Sequence, residues 1–253
     1  MPNTISTLTL AAASALALTT ATSQADVIEQ FLFDDSSGTE LEGATNTGTL
    51  GNAAFNAGLD FEVNGDGQYI IDSQARAFPR AEIPKVSEGQ IYFRVDFAGW
   101  NLDDHPGKFR NTQFGLFADA DPDTQGIEQL VEVQLNQVSR FPAGLRFRYS
   151  DGDSKLTELP GLSGRTDGLS QVETDMHSIV IGLDIASGSY AIYVDDSDGK
   201  GYEVAATGTT PPLPVDSIRL AVNGDYDSGD DFVSIDSIQL SNDAADFGVE
   251  PVQ

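Results

Sequence analysis

The sequence predicts an all-β protein in which two antiparallel sheets pack face to face, as a sandwich or jelly roll. Short alternating runs rich in Val, Ile, Phe and Tyr recur from residue 27 onward, and turns of Gly, Asp, Asn and Pro separate them. Helical periodicity is missing between these runs. The chain has 253 residues and no cysteine, so it must be held together by a core of ordinary size without disulfides.

Residues 1–25 predict an export signal. Leu8–Leu18 is almost wholly apolar, and the small residues of Ala21–Ala25 fit cleavage after Ala25, although no Lys or Arg precedes the apolar run. This run is shorter than a membrane span, which needs about 20 apolar residues. We therefore expect a secreted or periplasmic chain without a membrane span. We expect one domain over residues 26–242 and a tail, residues 243–253, that frays.

Ten runs in the mature chain have enough alternation, and clear enough turns on both sides, to be bounded as strands. β-Branched and aromatic residues dominate them, as expected for a pleated and half-buried surface. In chain order they are Val27–Phe33, Gln68–Ile71, Gln90–Phe97, Gln113–Ala118, Gln129–Val138, Leu145–Tyr149, His177–Ile185, Tyr190–Val194, Ile218–Val222 and Phe232–Leu240.

Three of these strands show which side faces the core. Apolar and polar residues alternate in Gln90–Phe97, Gln129–Val138 and Leu145–Tyr149, so one side of each strand packs inward. We predict that the polar sides share one sheet and form a single ligand-binding surface. The residues of this predicted surface are Tyr92, Arg94, Glu132, Gln134, Asn136, Arg146 and Arg148.

The charge is distributed unevenly along the chain. The chain has 13 Lys and Arg against 40 Asp and Glu, a net charge of −27. Residues 76–165 hold 11 of the cations and 13 of the acids, a net charge of −2, and the remainder holds 2 cations and 27 acids, a net charge of −25. This net charge argues against a nucleic-acid partner, because phosphate contacts need a positive surface. The concentrated arginines favour an acidic ligand.

A strand–turn–strand pattern occupies His177–Asp195. The first strand begins with His and ends with Asp, the turn contains Gly, and the returning strand reads Tyr-Val-Asp. This pattern resembles the hairpin of laminin-G-like and concanavalin A-like domains. Phe232–Leu240 resembles the final strand of that superfamily, and Val27–Asp35 resembles its opening strand. The resemblance implies a concanavalin A-like jelly roll, a fold that hosts lectins, binding modules, glycoside hydrolases and polysaccharide lyases.

A second resemblance, to alginate-lyase-like polysaccharide lyases, concerns three short motifs. Those enzymes carry Arg-x-Glu, Gln-x-His and a late Tyr/Lys strand on one sheet. This chain has Arg80-Ala81-Glu82, Gln134-Leu135-Asn136 and Ile218–Val222 in the same order. The resemblance implies β-elimination, in which Arg neutralises the sugar carboxylate and a base takes the adjacent proton. The candidate catalytic residues are Arg80, Gln134, Asn136, Arg146 and Tyr92.

This chain departs from the lyase pattern at the base. Asn136 stands where those enzymes have His, so a lyase here would need Tyr92, Tyr149 or His105 as its base. Glycoside hydrolysis is the other enzymatic hypothesis, and it needs two carboxylates about 5–9.5 Å apart. Glu132 and Asp96 are the candidates for that pair, but the Glu-x-Asp-x-x-Glu signature of laminarinase-like proteins is absent.

The arginines also have a purely structural interpretation. In a chain this acidic, Arg80, Arg94, Arg146 and Arg148 relieve repulsion by pairing with nearby carboxylates. The carboxylates that serve as partners in this alternative are Glu82, Asp96 and Glu132. Trp100 likewise has two interpretations, a ring that stacks on a sugar or a side chain of the core.

Calcium is the predicted cofactor, because three loops carry alternating oxygen ligands of the kind a hard cation prefers. The candidate ligands are Asp119, Asp121, Asp123, Asp225 and Asp227, and a third loop contains Asp195, Asp196 and Asp198. None of the loops has the Gly and Glu that complete a twelve-residue calcium loop.

The sequence therefore predicts a secreted, monomeric, lectin-like jelly roll that binds an extracellular and acidic polysaccharide. The alternatives are a polysaccharide lyase that cleaves an acidic glycan such as alginate, and a structural surface or adhesion domain. The missing His base ranks binding above cleavage.

Overall fold

A computed structural model describes residues 27–253 except 52, 56–61, 65, 72–75, 78, 103–109, 122–125, 139–143, 153–155, 160–168, 196–198 and 225–231. The described residues form strands and two short 3₁₀ helices, Leu41–Gly43 and Ala244–Phe247. The strands are β1 (Glu29–Phe31), β2 (Glu62–Val63), β3 (Tyr69–Ile71), β4 (Arg76–Ala77), β5 (Arg80–Val86), β6 (Gln90–Asn101), β7 (Arg110–Asp121), β8 (Gly126–Val138), β9 (Gly144–Ser150), β10 (Thr157–Glu158), β11 (Val172–Glu173), β12 (His177–Asp184), β13 (Ser189–Asp195), β14 (Glu203–Thr209), β15 (Val215–Gly224) and β16 (Phe232–Ser241).

The strands form two antiparallel sheets, as predicted. The nine-stranded sheet has the order β14-β13-β12-β6-β16-β3-β2, with β1 also paired to β16 and β11 to β6. The seven-stranded sheet has the order β10-β9-β8-β7-β15-β4, with β5 also paired to β15. All ten predicted strands are present. Within the described residues, no helix is long and apolar enough to cross a membrane.

Aromatic side chains from both sheets meet in the core. Phe97 of β6 lies 5.6 Å from Phe114 of β7 and 5.3 Å from Phe147 of β9, between ring centroids. Trp100 is fully buried and packs edge-on against Phe147 at 5.9 Å. The stacking role for Trp100 is therefore wrong, and its side chain belongs to the core.

The predicted hairpin is formed by β12 and β13. The Asp184 carboxylate accepts hydrogen bonds from the backbone N–H and the hydroxyl of Ser187, which closes the turn between the strands. Gly188 in that turn has φ 71°, and a side chain there would collide with the Thr210 carbonyl oxygen. His177 begins β12 and stacks on Trp100 at 5.2 Å.

The tail does not fray, contrary to the prediction. Phe247, Val249 and Val252 are buried against Tyr92 and Tyr193 on the outer face of the nine-stranded sheet. The Tyr92 hydroxyl accepts a hydrogen bond from the Val252 backbone N–H at 3.2 Å, and the Tyr193 hydroxyl donates one to a backbone carbonyl of the tail. The tail packs here because this outer face of the nine-stranded sheet is itself apolar. The sequence of the tail alone does not show that such a face exists.

Candidate functional site

The candidate site lies on the outer face of the seven-stranded sheet. In β8, Val131, Val133 and Leu135 are buried in the core, so the alternating residues face outward. In β9, Leu145 and Phe147 are buried in the core in the same way. The outward residues are Glu132, Gln134 and Asn136 on β8 and Arg146 and Arg148 on β9.

Register aligns these residues in rows across the sheet. Asn111 of β7 is paired with Asn136, and Asn136 is paired with Arg146, so these three form one cross-strand row, called here the Asn row. In the adjacent row, Gln134 is paired with Gln113 of β7 on one side and with Arg148 on the other.

The Asn row is polar and buried, which is unusual for an outward face. The exposed fraction is 2% for Asn111, 2% for Asn136 and 5% for Arg146. Buried side chains of this kind normally find a hydrogen-bond partner for every polar atom. In the part of the chain that the structure describes, three atoms of this row have none: Asn111 Oδ1, Asn136 Nδ2 and Arg146 Nη2. The row therefore contains one acceptor and two donors that make no hydrogen bond with the described residues.

A hydrogen-bonded chain supports the row from the side. Arg219 Nη2 of β15 donates to Glu132 Oε2 at 2.8 Å, and Gln134 Nε2 donates to Glu132 Oε1 at 2.6 Å. Asn111 Nδ2 donates to Gln134 Oε1 at 3.3 Å. Burial raises the pKa of the Glu132 carboxyl, and Arg219 and Gln134 oppose that rise. We call Arg219, Glu132, Gln134 and Asn111 the relay.

The arginines on this face are anchored by carboxylates or carbonyls. Arg146 Nη1 donates to Glu158, and Arg148 Nη2 donates to the Leu156 carbonyl oxygen at 2.9 Å. Arg80 on β5 pairs with Glu82 at 3.0 Å. The pairing alternative is therefore correct for Arg80. Arg146 is also paired, and its other terminal nitrogen lacks a partner among the described residues.

The predicted seven-residue surface is split between the two sheets. Tyr92 and Arg94 face outward from β6 of the nine-stranded sheet, on the opposite side of the sandwich from Gln134. Tyr92 is 1% exposed and lies under the tail. The prediction of one shared face is wrong for these two residues, and Tyr92 is too far from the Asn row to act as its base.

Asp96 lies on the same opposite face, so it does not form a carboxylate pair with Glu132. Arg94 Nε donates to Asp96 at 2.8 Å, and the hydroxyls of Ser178 and Ser237 also donate to it. This arrangement confirms the structural pairing of Arg94. The hydrolase hypothesis loses its second carboxylate.

Three residues of the site are missing from the sequence-based surface, namely Asn111, Gln113 and Arg219. The predicted strand begins at Gln113 and so omits Asn111, and Gln113 itself is not assigned to the surface. The alternation of apolar and polar residues continues backward from Phe114 to Asn111. This continuation is the signal in the sequence that would have added Asn111 and Gln113 to the surface. Arg219 enters the sequence analysis only within a motif, and its contact with Glu132 depends on strand order, which no local pattern shows.

Metal binding stays a prediction. Asp123, Asp225 and Asp227 lie outside the described residues, as do the side chains of Asp119 and Asp121. Among the residues that the structure does describe, no three His, Asp or Glu side chains form a group able to hold a metal ion. His105 also lies outside them. A groove of about 540 Å³ between β13, β14 and residues 250–253 contains none of the predicted site residues.

Comparison with known proteins shows the fold. No family model matches the chain, and no curated protein matches it. The VIP36 exoplasmic/lumenal domain, solved in a Ca2+/Man2-bound form, is 11% identical with a TM-score of 0.52, over 87% of this chain and 88% of that one. The CBM2 module of the evolved Dit protein of Lactobacillus casei BL23 phage J-1 is 12% identical with a TM-score of 0.50, over 85% and 95%. The chain folds as a concanavalin A-like jelly roll.

Proposed function

We propose that this protein is an exported carbohydrate-binding jelly roll that takes an acidic polysaccharide on the outer face of its seven-stranded sheet. The observation that carries the proposal is the Asn row, with three buried polar atoms that lack a partner among the described residues. Leaving a buried polar group unpaired costs about 1–3 kcal/mol. A bound sugar removes that cost, because its hydroxyls donate and accept and its carboxylate accepts.

The acidic character of the ligand follows from the cations on this face. Arg146 is almost fully buried and has one terminal nitrogen without a partner among the described residues, and Arg148 lies in the next row. Arg recognises carboxylates with charge-assisted hydrogen bonds that are stronger than neutral ones. The similar fold of a lumenal domain solved with Man2 also supports a sugar ligand.

Binding rather than cleavage is the better-supported activity. None of the described outward residues of β7, β8 and β9 is a histidine, and Asn136 occupies the position where the lyase resemblance expects one. Of the other candidate bases, Tyr92 faces away from the row, Tyr149 packs against the core, and His105 lies outside the described residues. An asparagine amide cannot take a proton from carbon, so β-elimination lacks its base at this position.

Retention on alginate and pectate gels at low salt tests the proposal, with a neutral mannan gel for comparison. We expect retention on at least one acidic gel. Arg146→Gln should abolish it, because the buried guanidinium is then lost from the row. Arg94→Gln is the matched control on the opposite face and should be retained like the unmodified protein. A protein that passes through both acidic gels without delay contradicts the proposal, and ultraviolet absorbance of an unsaturated product would show that it is a lyase.

A further inference from the structure

We propose that the relay determines the polarity of the Asn row, so that Asn111 presents only a hydrogen-bond acceptor to the ligand. This inference rests on the proposed function and names the ligand feature that the site selects. The ligand must offer a free hydroxyl to Asn111 beside a carboxylate that reaches Arg146. A sugar whose hydroxyl is etherified has no proton to donate at that position.

The polarity follows from what each group can do. The ionised Glu132 carboxylate only accepts hydrogen bonds, so the amide nitrogen of Gln134 must face it. The Gln134 oxygen then faces Asn111, and the Asn111 nitrogen must turn toward that oxygen. The Asn111 oxygen is left over, and it is the atom without a partner among the described residues. Both ends of the Gln134 amide are engaged, so Gln134 is a positioning residue.

Arg219 fixes the starting point of the relay. Its guanidinium lies 2.8 Å from Glu132 and 4.5 Å from the centre of the Phe117 ring, and it also donates to Gln113 at 3.0 Å. An ion pair of this kind favours the charged form of the carboxylate and opposes the effect of its burial. The acceptor polarity of Asn111 therefore depends on a cation on the neighbouring strand, β15, which acts through Glu132 and Gln134 on β8.

Glu132→Gln tests the polarity with almost no change in shape. The oxygen of the new amide would turn toward Arg219, which only donates, and its nitrogen would face Gln134. Gln134 and then Asn111 must flip in response, and Asn111 would present its nitrogen to the ligand. The variant keeps all hydrogen bonds of the relay, but Asn111 then presents a donor to the ligand where the unmodified protein presents an acceptor.

The measurement is calorimetric titration with tetragalacturonate and tetramannuronate, each with free hydroxyls and as the methyl ether. We expect the unmodified protein to bind the free form of one of them about tenfold or more tightly than its ether. Glu132→Gln should reverse this preference or reduce it to within about threefold. Glu158→Gln is the matched control, because it changes a carboxylate partner of Arg146 without touching the relay, and it should keep the preference.

Two outcomes separate this inference from the proposed function. If the unmodified protein binds neither oligosaccharide in either form, the proposed acidic-sugar function fails. If it binds the free form and Glu132→Gln keeps the same preference with an unchanged melting temperature, the relay is overturned. If Glu132→Gln folds poorly, Gln134→Met replaces it as the test. Methionine lacks the amide oxygen that accepts the hydrogen bond from Asn111, so the Asn111 amide is no longer held in one orientation and the preference should decrease. In a protein that already carries Asn111→Leu, adding Glu132→Gln or Gln134→Met should not alter the preference further. The residue through which the relay contacts the ligand is then absent.

Discussion

Arg219 reaches Glu132 across an intervening strand, because the residue between them is Gly115. Register places Arg219 beside Gly115 and Gly115 beside Glu132, and the guanidinium and carboxylate meet at 2.8 Å. A Cβ on Gly115 would lie 2.4 Å from the Val131 carbonyl oxygen and 2.9 Å from the Glu132 Cα. The ion pair between Arg219 and Glu132 therefore depends on the absence of a side chain at Gly115.

Gly115→Ala should destabilise the protein by about 1–3 kcal/mol, because the new methyl group meets backbone atoms that cannot move independently. Urea unfolding measures the change. Gly89→Ala is the control: nothing lies within 4 Å of its Cβ, so it adds only the cost of a residue at φ 80°, about 1 kcal/mol. Equal costs at the two positions would contradict the steric argument.

The stability contributed by Glu132 should decrease as the pH rises. Burial raises its pKa in the folded protein above the usual value of 4.5, so the folded state holds the proton more tightly than the unfolded state. The free energy of unfolding should therefore fall as the pH rises from about that usual value through the raised one. Urea unfolding of the unmodified protein and of Glu132→Gln over this range isolates the effect, because only the variant lacks it. A difference between the two that is independent of pH would show that the pKa is not raised.

Binding to an acidic polysaccharide should weaken as salt is added. Charges at the surface are screened over about 8–10 Å at physiological ionic strength. Arg148 is the more accessible arginine of the site, and Arg148→Glu places a negative charge beside the expected ligand carboxylates. We expect Arg148→Glu to lose retention on the acidic gel at low salt and to keep most of its melting temperature. Retention equal to that of the unmodified protein would place the ligand elsewhere.

The tail should contribute to stability but not to the proposed binding. Phe247→Ala removes a ring that is 4% exposed, and we expect it to cost about 3–5 kcal/mol. Its retention on the acidic gel, measured at a temperature where it is folded, should be unchanged because the tail and the Asn row lie on opposite faces. A lost retention in folded Phe247→Ala would indicate that the tail takes part in binding.

Calcium dependence is tested by melting the protein with a chelator and with excess calcium. An ion that binds only the folded state raises the melting temperature by mass action. We expect the chelator to lower the melting temperature, because the acidic loops around Asp121 and Asp225 supply oxygen ligands. Identical melting curves with chelator and with excess calcium would contradict the calcium prediction.

Local alternation predicts the two faces of each central strand correctly. In β6, β8 and β9 the apolar side is buried as expected, because burial alone decides which side of a strand faces inward. The pattern does not encode which strands become neighbours. Alternation alone therefore assigns Arg94 and Gln134 to one surface, although β6 and β8 belong to different sheets.

Six of the sixteen described strands lie outside the ten predicted runs, and the two longest of these six, β5 and β14, escape prediction for separate physical reasons. β5 contains Pro84, which usually argues against a strand and is tolerated here because, among the described strands, β5 pairs with β15 on one side. β14 consists largely of small residues and Thr, and it is mostly exposed at the edge of its sheet. The relay cannot be predicted either, since Arg219 and Glu132 are brought together only by the order of β15, β7 and β8.

The pairing of β6 with β12 and β16 has a kinetic consequence. Phe93 of β6 is paired with Ile181 on one side and with Leu240 on the other, and Glu29 at the other end of the chain also pairs with Leu240. These contacts join residues far apart in sequence, so loop closure must precede any gain from pairing, and folding is expected on the slow scale of non-local β topologies, milliseconds to seconds. On a ribosome, the nine-stranded sheet cannot close until β16 has emerged.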